Sequence, residues 1–148
     1  MAAEDVDPSN FQGMGAARTL RPLQTQHLVT YCHYYGALQR VDWFVGRVLA
    51  SLQARGFANN TLVVFTSDHG PSDMCRGKTT SYEFGLQVPL LVRWPGRVAP
   101  GRRSSALVST SIDLSPTMLE VAGLDAPSFL PGHSLVAEFA GTATATRK

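Results

Sequence analysis

Between residues 31 and 54 apolar side chains recur at steps of three and four: Tyr34, Tyr35, Leu38, Val41, Phe44, Val45, Val48, Leu49 and Leu52. On a helix that spacing draws one continuous apolar stripe, since about 3.6 residues complete a turn. Gln39, Arg40, Arg47, Gln53 and Arg55 fall mostly on the other side, and Gly56 stands where a left-handed residue ends a helix. A helix over 31–56 is the expectation. The pattern then changes. Ala58-Asn59-Asn60 reads as a turn, and Leu62 to Thr66 is a β-branched and aromatic run with no polar alternation. Such a run predicts a short strand covered on both faces. Leu86 to Trp94 predicts a second one, with Pro89 at its start or at a sheet edge because proline has no N–H to give to a ladder.

Further along, Ala106 to Ser109 suggests a brief strand, and Asp113 or Ser115 is placed to cap a helix running through Val121. Pro116 fits the first turn of that helix and Gly123 its end. Leu135–Phe139 is a weaker apolar segment. Pro8, Gly13, Gly15 and Pro22 interrupt the beginning of the chain. The organisation expected is an irregular arm over 1–30, a folded body over 31–140 and a polar tail over 141–148. Helix, turn and covered strand in succession predict the α/β class, with helices packed on a mostly parallel sheet.

Length and composition narrow this picture. The 148 residues suit one domain, and 44% hydrophobic with 16% charged residues fits a folded chain. A net charge of +2, scattered along the sequence, predicts neither nucleic acid nor a membrane surface as partner. No apolar run approaches the roughly 20 residues that span a bilayer, and the first residues lack the apolar core of a signal peptide. Cys32 and Cys75 are too few for a disulfide framework.

Candidate chemistry sits where the first strand stops, at Ser67-Asp68-His69-Gly70. Loops at the carboxyl ends of strands are where open α/β sheets bind ligands, and Asp beside His is a pairing that holds metals or moves protons. The bland alternative is that Asp68 caps a following helix and His69 lies on the surface; these ten residues alone favour neither. The stretch from Gly70 to Thr80 has no periodicity and reads as a loop. His27, His33 and His133 have no metal-type spacing and read as structural or surface residues.

More features line up in order. Tyr34-Tyr35, Val41-Asp42 and Val45-Gly46-Arg47-Val48-Leu49 precede Asn60-Thr61-Leu62-Val63-Val64-Phe65-Thr66-Ser67-Asp68-His69-Gly70. Gly77-Lys78-Thr79-Thr80, Tyr82-Glu83, Val88-Pro89-Leu90 and Trp94-Pro95-Gly96 follow, then Asp113-Leu114-Ser115-Pro116-Thr117 and Gly132-His133-Ser134-Leu135. This series, covering about Tyr34 to Leu135, resembles the sulfatase family of the alkaline-phosphatase-like superfamily. Its Gly-Lys-Thr-Thr form is most similar to bacterial sulfatases near the heparan N-sulfatase group.

The resemblance implies an incomplete alkaline-phosphatase-like domain with a divalent ion, usually calcium, at the sheet's carboxyl end. It implies a sulfate whose sulfur is attacked by a formylglycine hydrate made from a cysteine or serine. By position Asp68 would be a metal ligand, His69 the second ligand (often Asn in the family), and Lys78 the lysine that contacts sulfate oxygens. Calcium prefers oxygen donors while imidazole suits zinc-like ions, so His69 leaves the metal's identity open. The substrate implied for the complete enzyme is a sulfated small molecule or glycan, and family members are often periplasmic, secreted or lysosomal. The family nucleophile lies in Cys/Ser-x-Pro-x-Arg, a pattern that neither Cys32 nor Cys75 fits, and the paired N-terminal aspartates are missing too. The chain therefore looks like the C-terminal part of a sulfatase catalytic domain, inactive alone. Two alternatives stand beside this: a phosphate-ester metallohydrolase of the same superfamily, and a truncated non-catalytic domain that binds or assembles.

Overall fold

The computed structural model describes residues 22–71 and 77–142, with side chains from Val29 onward. Cys75 and most of the expected N-terminal arm and polar tail lie outside these residues. The described chain falls into two compact units, one ending at Gly56 and the other beginning at Phe57.

The described residues of the first unit form a single helix, α1 (Pro22–Ala54). It begins well before Tyr31, where the apolar stripe becomes regular. Pro22, expected to break a helix, instead opens one: in the first turn its missing N–H has no partner to lose and its fixed φ already suits the helix. The far end follows expectation. Gly56 adopts φ +76° and its N–H donates to the Gln53 carbonyl at 3.1 Å, closing the last turn. Along the helix the Arg47 guanidinium lies 4.8 Å from the Trp43 ring one turn before it. Tyr35, Leu38, Val41, Phe44 and Val48, all on the apolar stripe, are solvent-exposed in this structure.

The second unit starts with a 3₁₀ turn over Ala58–Asn60 and strand β1 (Val63–Thr66). A four-residue helix, α2 (Glu83–Leu86), precedes strand β2 (Leu90–Arg93). Both predicted strands form and they share one sheet, with Pro89 just ahead of β2 as expected. Their pairing corrects the expected parallel order. They run antiparallel, with Val63 opposite Arg93 and Thr66 opposite Leu90. A parallel neighbour needs a crossover that carries the chain back along the whole strand, usually a helix within a dozen or more residues. Here the chain leaves at Thr66 and re-enters at its partner Leu90, so the connection stays at one end of the sheet. The mixed α/β class stands. Neither strand is fully covered: β1 is half-buried throughout, and in β2 half-buried and exposed positions alternate. Ala106 to Ser109 forms no strand.

Helix α3 (Thr110–Val121) and the short α4 (Val136–Ala140) complete the unit. Gly123 ends α3 at φ +74°, as its position suggests. Asp113 is not the cap expected of it; it sits inside the first turn, 2% exposed. Its carboxylate accepts the Ser109 N–H at 2.8 Å, reaching back to the helix start as the acidic residue of a capping box does. The other oxygen accepts the His133 N–H at 3.0 Å. One turn on, the fully buried Thr117 hydroxyl donates to the Asp113 carbonyl at 2.5 Å and accepts the Leu135 N–H at 2.9 Å. These two side chains clasp residues 133–135 to α3, beside the buried Leu135 and Phe139.

Thr117→Val keeps the shape of the side chain but strips the Leu135 N–H of its acceptor in a site water does not reach. The expected loss is about 1–3 kcal/mol of stability, the cost of an unsatisfied buried donor. Urea unfolding checks it, and an unchanged midpoint would show that the clasp adds nothing. Among the described residues no helix is long and apolar enough to cross a membrane.

Candidate functional site

The predicted site residues gather at the end of the sheet where β1 stops and β2 begins. Past Thr66 the chain turns at once: the Ser67 hydroxyl donates to the His69 carbonyl at 2.9 Å. This local bond offers the backbone an alternative to continuing the ladder. Gly70 then donates its N–H to the Gly85 carbonyl at 3.0 Å, which ties the turn after β1 to α2. Contact is that close because neither residue has a side chain. A Cβ on Gly70 would run into the Phe84 carbonyl oxygen, and one on Gly85 would run into the Gly77 carbonyl and lie 2.7 Å from that of Thr80.

The Lys78 segment is anchored to the same joint. The Lys78 N–H donates to the Pro71 carbonyl at 2.9 Å, while the Thr80 N–H and hydroxyl both reach the Gly77 carbonyl, at 3.2 and 2.8 Å. The backbone at residue 78 thus returns to within one hydrogen bond of the Asp68-His69-Gly70 turn. The Lys78 side chain is exposed.

His69 and Asp68 are in direct contact, Nε2 to Oδ2 at 3.3 Å. On the other side of the ring, Nδ1 lies 2.7 Å from the Gly70 carbonyl. A carbonyl only accepts, so Nδ1 carries a proton that it donates to Gly70, and a neutral ring then has its lone pair on Nε2. That lone pair faces the Asp68 carboxylate, acceptor against acceptor. A cation held by both atoms would suit that arrangement. Histidines that ligate metals show the same support, a backbone carbonyl fixing the ring through its other nitrogen. One carboxylate and one imidazole therefore fit two positions of a divalent ion's shell. Asp68 does not project into a cavity; its side chain is 82% exposed. Among the described residues no group of three or more His, Cys, Asp or Glu side chains is placed to hold a metal.

Residue patterns did not single out Gly85 or Thr79. Gly85 carried one usable signal, a glycine just ahead of a predicted strand, which marks close backbone approach. Thr79 stood in the Gly77-Lys78-Thr79-Thr80 series, but nothing in that series marks its φ of +71°.

A family model described as Sulfatase matches residues 9–124. Steryl-sulfatase of Rattus norvegicus is 40% identical over 111 residues, which is 64% of this chain and 19% of that protein. Arylsulfatase K of Xenopus laevis is 34% identical over 140 residues, 78% of this chain and 26% of that protein. Among solved structures, phosphonate monoester hydrolase SpPMH from Silicibacter pomeroyi superposes with a TM-score of 0.77 at 34% identity, over 88% of this chain and 26% of that one. BT4656, solved with its substrate D-glucosamine-2-N,6-O-disulfate, gives 0.78 at 29% identity, over 95% of this chain and 29% of that one. The chain thus spans about a fifth to a quarter of the length of these curated relatives.

Proposed function

The chain belongs to the sulfatase family, and from that premise we propose that residues 67–80 supply part of the metal and sulfate site of a sulfuric-ester or sulfamate hydrolase. The observation that carries this reading is the His69 ring, held through Nδ1 with its Nε2 3.3 Å from the Asp68 carboxylate. Bound there, a divalent cation would offset the charge of an anionic ester and polarise its oxygen. Calcium usually takes about six to eight oxygens, so two side chains leave most of the shell to other groups. Lys78 would contact the sulfate oxygens as a point charge, and the hydrogen bond from its N–H to Pro71 keeps its backbone beside the cation ligands. The substrate is a sulfated glycan or small molecule, a class supported by the disulfated glucosamine bound to BT4656.

The nucleophile would come from elsewhere. Neither Cys32 nor Cys75 lies in a Cys-x-Pro-x-Arg sequence, so no formylglycine is encoded here and the chain is inactive by itself. A second reading, hydrolysis of a phosphate or phosphonate ester, is favoured by the SpPMH likeness and by an imidazole donor suited to zinc-like ions.

Calorimetric titration of the 148-residue chain with calcium should show no submicromolar binding, and aryl sulfate should not be turned over with or without the ion. Tight calcium binding would overturn the two-ligand site, and turnover above background would overturn the missing nucleophile. Calcium and zinc titrated in parallel separate the two chemistries, with preference for zinc favouring the phosphate or phosphonate reading.

A further inference from the structure

Among the described residues five glycines take the left-handed conformation, at positions 56, 96, 101, 123 and 141. Among the described residues one other side chain joins them: Thr79, at φ +71°. For a β-branched residue this is an outlier, because its Cβ crowds the neighbouring carbonyl. Strained backbone of this kind persists only where the surroundings over-determine it, and it concentrates where a side chain must be aimed. The surroundings here are on both flanks. Lys78 N–H is held by the Pro71 carbonyl, Thr80 is held twice by the Gly77 carbonyl, and the Cα of Gly85 backs onto the carbonyls of Gly77 and Thr80. The Thr80 N–H to Gly77 carbonyl bond closes a four-residue turn with Lys78 and Thr79 at its centre, and Thr79 holds the second central position, where a positive φ is ordinarily taken by glycine.

We infer that Thr79 is a positioning residue: its left-handed backbone sets the direction in which the Gly77–Thr80 turn presents the Lys78 ammonium to the bound anion. This rests on the anion-contacting role proposed for Lys78. The backbone conformation is what acts. Glycine at 79 reaches the same φ without strain, whereas proline is locked near −65° and cannot.

The test uses a complete sulfatase domain that contains this segment together with a formylglycine motif, assayed on an aryl sulfate. Thr79→Pro should lower kcat/KM toward the level of Lys78→Ala, and Thr79→Gly should restore most of it. The double variant Lys78→Ala/Thr79→Pro should be no worse than Lys78→Ala alone, because a residue that acts only through the lysine has nothing left to lose. Full activity in Thr79→Pro, or losses that multiply in the double variant, would overturn the inference. If Lys78→Ala costs nothing, the proposed role of the lysine fails and takes this one with it; if Lys78→Ala is costly and Thr79→Pro is not, only the role of Thr79 fails. One measurement needs no variant to fold. The one-bond Cα–Hα coupling of Thr79 in the 148-residue chain reports the sign of φ, and a negative φ overturns the inference whatever the kinetics show.

Discussion

Lys78→Ala, made in a complete sulfatase domain that carries this segment, is expected to lower turnover by about 10²–10³-fold, the scale for losing one preorganised charge-stabilising group. The size follows from where the residue is held. Its backbone is pinned to Pro71 at 2.9 Å, which holds the root of the side chain beside the Asp68-His69 turn. Charge-assisted contacts to a sulfate oxygen at roughly 2.7–2.9 Å are the geometry this placement serves. Lys78→Arg should rescue little, because the guanidinium is planar and longer than the point charge it replaces. The fold should survive, since an exposed lysine holds none of the buried cluster at Leu135 and Phe139. An aryl-sulfate assay with the melting temperature recorded beside it decides the matter. Unchanged turnover would make Lys78 an ordinary surface lysine.

Gly85→Ala and Gly70→Ala should be among the most damaging single methyl additions in the described chain. At Gly85 the new Cβ meets the Gly77 carbonyl, the Thr80 carbonyl at 2.7 Å and the Thr80 hydroxyl at 3.0 Å. At Gly70 it meets the Phe84 carbonyl oxygen and the Gly85 Cα at 3.0 Å. Every one of these except the Thr80 hydroxyl is backbone, which cannot swing aside as a side chain does. Overpacking of this kind costs about 1–3 kcal/mol, and more when the obstacle is rigid. The joint it forces open also carries Lys78, so in a complete enzyme activity should fall further than stability alone explains. Gly46→Ala is the control: nothing lies within 4 Å of its Cβ, and the helix should gain about 0.8–1.0 kcal/mol. Denaturant midpoints for the three variants test this. A Gly85→Ala midpoint equal to that of the parent would mean the two backbones are not packed as described.

Much of this architecture was legible from residue order because the information is local. The three- and four-residue spacing from Tyr34 to Leu52 marks α1, Gly56 and Gly123 mark helix ends, and the unbroken apolar runs mark β1 and β2. Membership of the sulfatase family, and with it Asp68, His69 and Lys78 as the residues to test, came from the ordered motifs.

The tertiary structure decided whatever depends on residues far apart in the chain. That β1 and β2 run antiparallel follows from the path between them, since Thr66 and Leu90 meet at one end; an apolar run reads the same in either direction. Asp113 became a clasp because one of its partners, His133, lies twenty positions away. Gly70 and Gly85 are indispensable only because two backbones happen to touch there, and Thr79 is left-handed only because its neighbours are held on both sides. Periodicity reports which face of an element is apolar. It is silent on what that face will meet, because the partner is chosen by the packing of the whole chain.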